Sequence, residues 1–169
     1  MKILKIGTFE LPVYSSFDAT QRYEPIGGET ILRAVSGRGI KQMTYTRTRI
    51  TTSGGGWVPS GLQTLDFTAQ HAVACIAPET VPADFATRQA TLPATRRRDS
   101  GHVPYGLAQL AGGQTVEAGC TVVGNVATVD AVTGAVAYQA GYYPLLTCWV
   151  LRPTRSGPEA AWELICEEV

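Results

Sequence analysis

Apolar and polar residues alternate with a period of two along much of this chain, and no segment shows a persuasive helical period. The alternation is clearest in two segments near the C-terminus, Val136, Tyr138, Ala140 and Tyr142, and then Trp162, Leu164 and Cys166. Successive side chains of a strand point to opposite faces of a sheet, so this pattern predicts strands. We therefore expect an all-β fold, a β-sandwich or barrel with a long protruding hairpin and little or no helix.

The hairpin is predicted between residues 30 and 53. Thr30 to Ser36 forms its first arm, Gly37-Arg38-Gly39 supplies the turn, and Ile40 to Ser53 forms the second arm. Glu24 to Gly28 has turn composition and is expected to lead into the hairpin. The second arm spans roughly 45 Å at about 3.4 Å per residue, whereas ordinary strands have about 5–6 residues. Such an arm is either bent by a bulge or extends beyond the body of the domain and contacts another chain.

Strict alternation divides the second arm between two faces, neither of which is cleanly apolar. One face carries Ile40, Gln42, Thr44, Thr46, Thr48 and Ile50, and the other carries Lys41, Met43, Tyr45, Arg47 and Arg49. Amphipathic side chains of this kind suit a subunit interface or a wet lumen better than a dry core. We therefore predict an oligomer interface at Met43, Tyr45, Arg47 and Arg49. An ordinary two-sided surface hairpin remains the alternative.

Further along the chain, turn residues divide the apolar runs into short strands. Gly124-Asn125 separates two β-branched runs and predicts a two-residue hairpin loop. Leu145 to Leu151 is almost continuously apolar, which predicts a strand buried on both sides. Trp162, Leu164 and Cys166 predict a closing strand with one buried face.

The domain organisation expected from these elements is a single β domain over residues 1–169. Residues 78–104 contain four prolines and much Ala, Thr and Arg, which is typical of a long loop. The alternative is therefore two lobes, a hairpin-bearing lobe at 1–77 and a sandwich lobe at 105–169, joined by this loop. Arg96-Arg97-Arg98 lies in the loop and is expected to be a mobile surface segment.

Charge is balanced overall but unevenly placed along the chain. Residues 33–98 carry nine Lys/Arg against three Asp/Glu, net +6, and residues 99–169 carry two against seven, net −5. This asymmetry favours a head-to-tail contact between copies, with chance spacing on a solvated surface as the alternative. The strongly basic excess typical of nucleic-acid-binding proteins is missing. No apolar run approaches 18 residues, so no membrane span is predicted.

Few residues are candidates for catalysis or metal binding. Cys75, Cys120, Cys148 and Cys166 are widely spaced without a C-x-x-C pair, which favours buried, reduced thiols over a metal site. Asp99, Ser100 and His102 are the residue types of a catalytic triad, but three residues crowded in one glycine-containing loop rarely acquire its geometry. We expect no enzyme activity, no cofactor and no metal.

Several phrases of the sequence resemble small tail-tip structural proteins of long-tailed bacteriophages, the distal-tail or baseplate-ring class. They are GGWVPSGL at 55–62, GYYPLLT at 141–147 and the closing WELICEEV at 162–169, in an order of parts that includes a long Thr/Arg-rich hairpin arm. The resemblance covers most of the chain except about 78–100. The chain is short and lacks an obvious second, galectin-like domain.

The resemblance implies an all-β protein that forms a ring, a hexamer or trimer, in the virion tail. Such a ring joins the tail tube to hub or receptor-binding proteins, with the tape measure as a further neighbour, and the protein is synthesised in the host cytoplasm. Some tail-tip proteins hold an iron–sulfur cluster, and the scattered cysteines leave that variant open.

Two rival functions of other classes stay open. The first is a monomeric, glycan-type β-sandwich binding module that uses exposed aromatics such as Trp57, Tyr142 and Tyr143. The second is a small hydrolase around Ser100 and His102.

Overall fold

The computed structural model describes residues 3–16, 18–156 and 161–169. The prediction of an all-β fold is confirmed, because strands account for 57% of the chain and helix for only 4%. The helices in the described part are two four-residue turns, α1 (Val13–Ser16) and α2 (Ser60–Gln63). The chain forms two compact units, Met1–Lys5 with Val73–Leu146 (unit 1) and Ile6–Ala72 with Thr147–Val169 (unit 2).

The two units do not correspond to the lobes expected from composition. The Pro-rich segment 78–104, interpreted as a connecting loop, contains strands β6 (Glu79–Ala83) and β7 (Gln89–Thr91) and lies inside unit 1. The C-terminal segment 147–169 belongs to unit 2 with residues far away in the sequence. The physical reason is long-range strand pairing, which local composition does not encode.

Unit 1 is built on two antiparallel sheets. Besides β6 and β7, its strands are β8 (Tyr105–Leu110), β9 (Thr115–Ala118), β10 (Cys120–Val123), β11 (Val126–Val129) and β12 (Ala135–Tyr142). One sheet has the order β10-β11-β7 and the other β6-β12-β8-β9. Small and β-branched side chains from both sheets meet in one apolar core, with two tyrosines: Ala90, Leu92, Ala108, Ala127, Val129, Tyr138, Ala140 and Tyr142. Sheet faces that share one buried core define a β-sandwich.

The predicted Gly124-Asn125 hairpin loop is confirmed, since it joins β10 to β11 with Val123 paired to Val126. Gly124 has φ +61°, a conformation that glycine adopts without steric cost. The face predicted for β12 needs a correction at its start. A register shift between Ala135 and Ala137 against β8 leaves Val136 exposed, while Tyr138 and Ala140 remain buried. Local irregularities of this kind break strict alternation.

Unit 2 is organised by an eight-stranded sheet. Its strands are β1 (Lys5–Ile6), β2 (Phe9–Glu10), β3 (Thr20–Arg33), β4 (Gly39–Gly54), β5 (Gln70–Ala74), β13 (Leu145–Val150), β14 (Thr154–Ser156) and β15 (Ala161–Glu168). Their order is β2-β1-β5-β13-β15-β4-β3, and β14 pairs with β15 off this path. The boundaries between the units fall within β1, β5 and β13.

The closing strand is confirmed as β15, with Trp162, Leu164 and Cys166 buried on one face. The prediction for the preceding apolar run was wrong, because β13 is buried on one face only. Cys148 and Val150 are buried, whereas Trp149 between them is 44% exposed. The apolar run at 145–151 therefore correctly predicted a strand, but it did not predict which faces of that strand are buried.

The long hairpin is confirmed, and both of its strands are longer than the sequence predicted. β3 has 14 residues and β4 has 16, paired from Thr20–Ser53 at the base to Arg33–Gly39 at the turn. The segment Glu24 to Gly28, predicted as a turn, is part of β3. Its Pro and Gly residues mark a bulge, because the pairing steps from Gly27–Thr46 to Glu29–Met43.

The bulge depends on close backbone contact at Gly27. A Cβ atom at this position would overlap the carbonyl oxygen of Tyr45, which no side chain tolerates. At Gly28 a Cβ atom would overlap Oγ1 of Thr44. The two glycines therefore allow β4 to carry one extra residue opposite β3 and to bend there.

Candidate functional site

The distal part of the hairpin, residues 27–47, is the most exposed regular structure in unit 2, and we call it the arm. Every β4 residue from Gly39 to Arg47 is exposed, so both faces of this strand are exposed. At about 3.4 Å per residue, these nine residues extend for roughly 30 Å. The sequence left open whether the strand is bent or extends beyond its core, and the structure shows both.

The arm combines exposed apolar side chains with positive charge. Its large exposed apolar side chains, each more than half exposed, are Ile31, Leu32, Val35, Ile40, Met43 and Tyr45. The segment 27–47 contains four Lys/Arg and a single acidic residue, net +3. A concentration of exposed apolar residues on one element is typical of a surface that binds another macromolecule.

The bulge corrects the predicted division of the arm into two faces. Met43 was assigned to the face of Arg47 and Arg49, opposite Thr46. In the structure the Thr46 hydroxyl donates a hydrogen bond to Sδ of Met43 at 3.5 Å, so the two side chains share a face. The extra residue of β4 shifts the alternation by one position, which moves the distal side chains to the other face.

The four predicted interface residues fall into two environments. Met43, Tyr45 and Arg47 lie on the arm, and Met43 and Tyr45 are 59% and 55% exposed. Arg49 lies at the base of the hairpin and is only partly exposed. Its guanidinium forms an ion pair with Glu167 of β15 at 2.8 Å, so this residue secures β4 to the sheet.

The outer edge of the hairpin is β3, which ends the order of described strands in its sheet. The amide of Thr48, the β4 partner of Pro25, donates to the Glu168 carboxylate at 2.9 Å and therefore faces β15. Because that amide faces away from β3, the ring nitrogen of Pro25 faces the open edge, where proline supplies no donor. Pro25 therefore hinders the pairing of another strand with β3 near the base of the hairpin. Along the arm, the edge of β3 can accept such a strand.

The three consecutive arginines do not form the mobile surface segment that the sequence predicted. Arg96 and Arg97 are 5% and 2% exposed. Arg96 donates to the carbonyl of Gly124, to that of Pro93 and to the side chain of Asn125. Burial lowers the pKa of Arg96, with a smaller contribution from Arg98.

Arg97 holds three separate segments of unit 1 together. Its Nη1 donates to the carbonyl oxygens of Ile3, Ala74 and Cys75 at 2.8–3.1 Å. Its Nε and Nη2 donate to the two carboxylate oxygens of Asp99 at 2.9 and 2.6 Å. The hydrogen bonds from Arg97 are the main reason why the pKa of Asp99 lies well below its usual value. Sequence reasoning missed this role because a surface and a buried arginine have the same local signature.

Two members of the suspected triad do come together. Nδ1 of His102 lies 3.0 Å from Oδ2 of Asp99, but the histidine is 2% exposed and its ring lies edge-on to Tyr143. A general base must reach the proton of a bound substrate, and this imidazole is enclosed by protein. Ser100 is exposed. His102 is thus buried in unit 1, whereas the side chain of its partner Asp99 is 43% exposed.

All four cysteines are free thiols, and three of them, Cys75, Cys148 and Cys166, are buried. In the described part of the chain, no group of three or more His, Cys, Asp or Glu side chains is placed to hold a metal ion. Burial, with a smaller contribution from Asp130, raises the pKa of Cys120, the half-buried thiol.

We expect the native protein to react with a thiol reagent at Cys120 alone, and slowly at pH 7, because its raised pKa keeps the thiolate scarce. The rate should increase as the pH rises above 9. The denatured protein should show four thiols, with no iron or zinc by elemental analysis. Cys120→Ser should abolish the native reaction, and stoichiometric metal or a visible absorbance band would contradict the expectation.

The aromatic residues named for a glycan module are mostly inaccessible. Tyr142 and Tyr143 are 8% and 4% exposed, whereas Trp57 is 74% exposed. Trp57 lines a cleft of about 560 Å³ in unit 2 together with Tyr14 and Asp18, a grouping that no local sequence pattern indicates.

Comparison of the chain with protein-family models, with curated proteins and with solved structures found no match. Within the described residues, neither helix is long or apolar enough to cross a membrane.

Proposed function

We propose that this chain is a structural protein that assembles with copies of itself through the arm, as a ring in the tail tip of a long-tailed bacteriophage. The ring joins the tail tube to hub or receptor-binding proteins. The observation that carries the proposal is the arm itself, in which every β4 residue from Gly39 to Arg47 is exposed and six large apolar side chains are more than half exposed. The phage assignment rests on the resemblance of GGWVPSGL, GYYPLLT and WELICEEV to tail-tip proteins.

The positive charge of the arm favours a contact with a different surface of the next copy over a contact between two arms. With a net charge of +3, two arms placed side by side repel each other. A head-to-tail contact avoids this repulsion, because each arm then meets a different, neutral or acidic surface of the next copy. Repeated head-to-tail contacts close into rings when the rotation between copies permits.

The charge difference between residues 33–98 and residues 99–169 overstates the charge that can attract another copy, because part of the positive charge is buried or already paired. Arg96 and Arg97 are buried in unit 1, and Arg49 is paired with Glu167 within unit 2. The exposed cations of the arm, Arg33, Arg38 and Arg47 among them, are the better source of attraction between copies.

The mass of the purified chain, measured by sedimentation velocity over a range of concentrations, tests the proposal. We expect a closed oligomer, a trimer or a hexamer, visible as rings by negative-stain microscopy. Its mass should fall at high salt and limiting protein concentration, because exposed charges are screened beyond about 10 Å at 0.1 M salt. An oligomer that grows with salt indicates arm-to-arm pairing instead, and a monomer under all conditions refutes the proposal.

The hydrolase alternative loses support from the burial of His102. A catalytic role for the exposed Ser100 requires a base that can reach a bound substrate, and the imidazole of His102 is only 2% exposed.

A further inference from the structure

We infer that the cleft between Tyr14 and Trp57 in unit 2 binds a pyranose saccharide. The cleft lies among three segments that the fold brings together: α1 with Asp18, the Gly55–Val58 loop, and the start of α2 at Ser60. Its volume of about 560 Å³ is within the range of about 300–1,000 Å³ typical of ligand clefts. This inference is independent of the proposed assembly, because none of the lining residues belongs to the arm.

The two aromatic side chains at the cleft present their rings to solvent. Tyr14 and Trp57 are both 74% exposed, and aromatic side chains that line a cleft supply the apolar surface on which a ligand packs. The guanidinium of Arg155 lies 4.2 Å from the centre of the Trp57 ring, so it covers one indole face and helps to fix the ring. The other face remains for the apolar C–H face of a sugar ring.

The polar groups of the cleft determine which ligand suits it. Asp18 contributes a carboxylate, whose oxygens accept hydrogen bonds, and Ser15 and Ser60 contribute hydroxyl groups. Asp18 is exposed and forms no ion pair with another described residue. A ligand that offers several hydroxyl donors beside an apolar face fits this set, and a pyranose has both features.

Two other ligand classes fit less well. A proline-rich peptide stacks on aromatic rings, but it presents carbonyl acceptors, which a carboxylate cannot satisfy. A quaternary ammonium group would suit the aromatic rings and the carboxylate, but the Arg155 cation already occupies one face of Trp57 and opposes a second cation there.

Binding is tested by calorimetry on the full-length chain with three probes: maltotriose, cellotriose and tri-N-acetylchitotriose. We expect at least one to bind with a Kd on the order of 1 mM or tighter. Trp57→Ala should weaken that binding at least tenfold, and Asp18→Asn should weaken it less, because the aromatic stacking remains. Both positions are exposed, so the thermal midpoint should stay unchanged.

Trp149→Ala is the matched control, since Trp149 is also an exposed tryptophan of unit 2, at 44%, but lies outside the cleft. It should bind the probe as the unmodified chain does. The inference is overturned if none of the three probes binds, if Trp57→Ala binds as tightly as Trp149→Ala, or if a polyproline peptide binds at Trp57 in their place. None of these outcomes changes the oligomer mass, so the proposed assembly is judged separately.

Discussion

Replacing Met43 and Tyr45 together with Asp should convert the assembled protein into a folded monomer. Both side chains are more than half exposed in the isolated chain and lie beside the bulge at Gly28. If a neighbouring copy covers them, each new carboxylate is buried without a partner, which costs several kcal/mol per interface. In the monomer the same carboxylates remain hydrated, so the free energy of unfolding should change by less than about 1 kcal/mol.

The measurement is the mass by light scattering after gel filtration, together with the circular-dichroism spectrum. Val123→Asp with Val136→Asp is the matched control, because these apolar residues are 75% and 53% exposed but lie in unit 1, away from the arm. We expect the control to assemble normally. Rings of normal mass from the arm variant would falsify the role of the arm. Unfolding of the arm variant would instead place Met43 and Tyr45 in a core, contrary to their exposure.

The second large effect is expected from Arg97→Met, which should destabilise unit 1 by roughly 1–3 kcal/mol, the usual cost when a buried acceptor loses its donor. The arginine side chain is 1% exposed and donates to three backbone carbonyls and to both oxygens of Asp99. Methionine fills part of the volume but donates no hydrogen bond, so the carbonyl groups of Ile3, Ala74 and Cys75 lose their charged donor. The Asp99 carboxylate is 43% exposed, so water can replace the arginine there.

Arg98→Met is the control for this experiment, because the neighbouring arginine is exposed. Urea unfolding followed by circular dichroism should show a lower midpoint for Arg97→Met and almost none of that loss for Arg98→Met. Equal midpoints for the two variants would show that the buried hydrogen bonds contribute little to the stability of unit 1.

The same unfolding experiment at low pH should show the contribution of Asp99 to the free energy of unfolding. Its pKa in the folded chain lies below the ordinary value of 3.8, chiefly because of the hydrogen bonds from Arg97. The stabilisation is therefore complete above about pH 4 and is lost as the pH falls towards the folded pKa. Asp99→Asn should remove this acid-dependent part of the stability and leave a lower, flatter profile between pH 2 and pH 5.

The local sequence pattern was enough to predict most of the strands and turns. Period-two alternation, abundant Thr and the Gly124-Asn125 turn predicted short antiparallel strands and a closing strand at Trp162, because strand periodicity and turn chemistry are local properties. The long hairpin was predicted for the same reason. The position of its bulge was not predicted, because the pattern of β4 alone does not reveal the contact between Gly27 and the Tyr45 carbonyl across the strands.

The environment of each side chain depended on contacts between segments distant in sequence. Burial of Arg97 results from hydrogen bonds to Ile3 and Ala74, which lie 94 and 23 positions away. The pairing of Arg49 with Glu167 and the grouping of Tyr14 with Trp57 have the same origin. A local sequence pattern records which residues are polar or aromatic, whereas solvent exposure and partners are properties of the packed chain. For that reason the arm was visible in the sequence, and the buried arginines and the aromatic cleft were not.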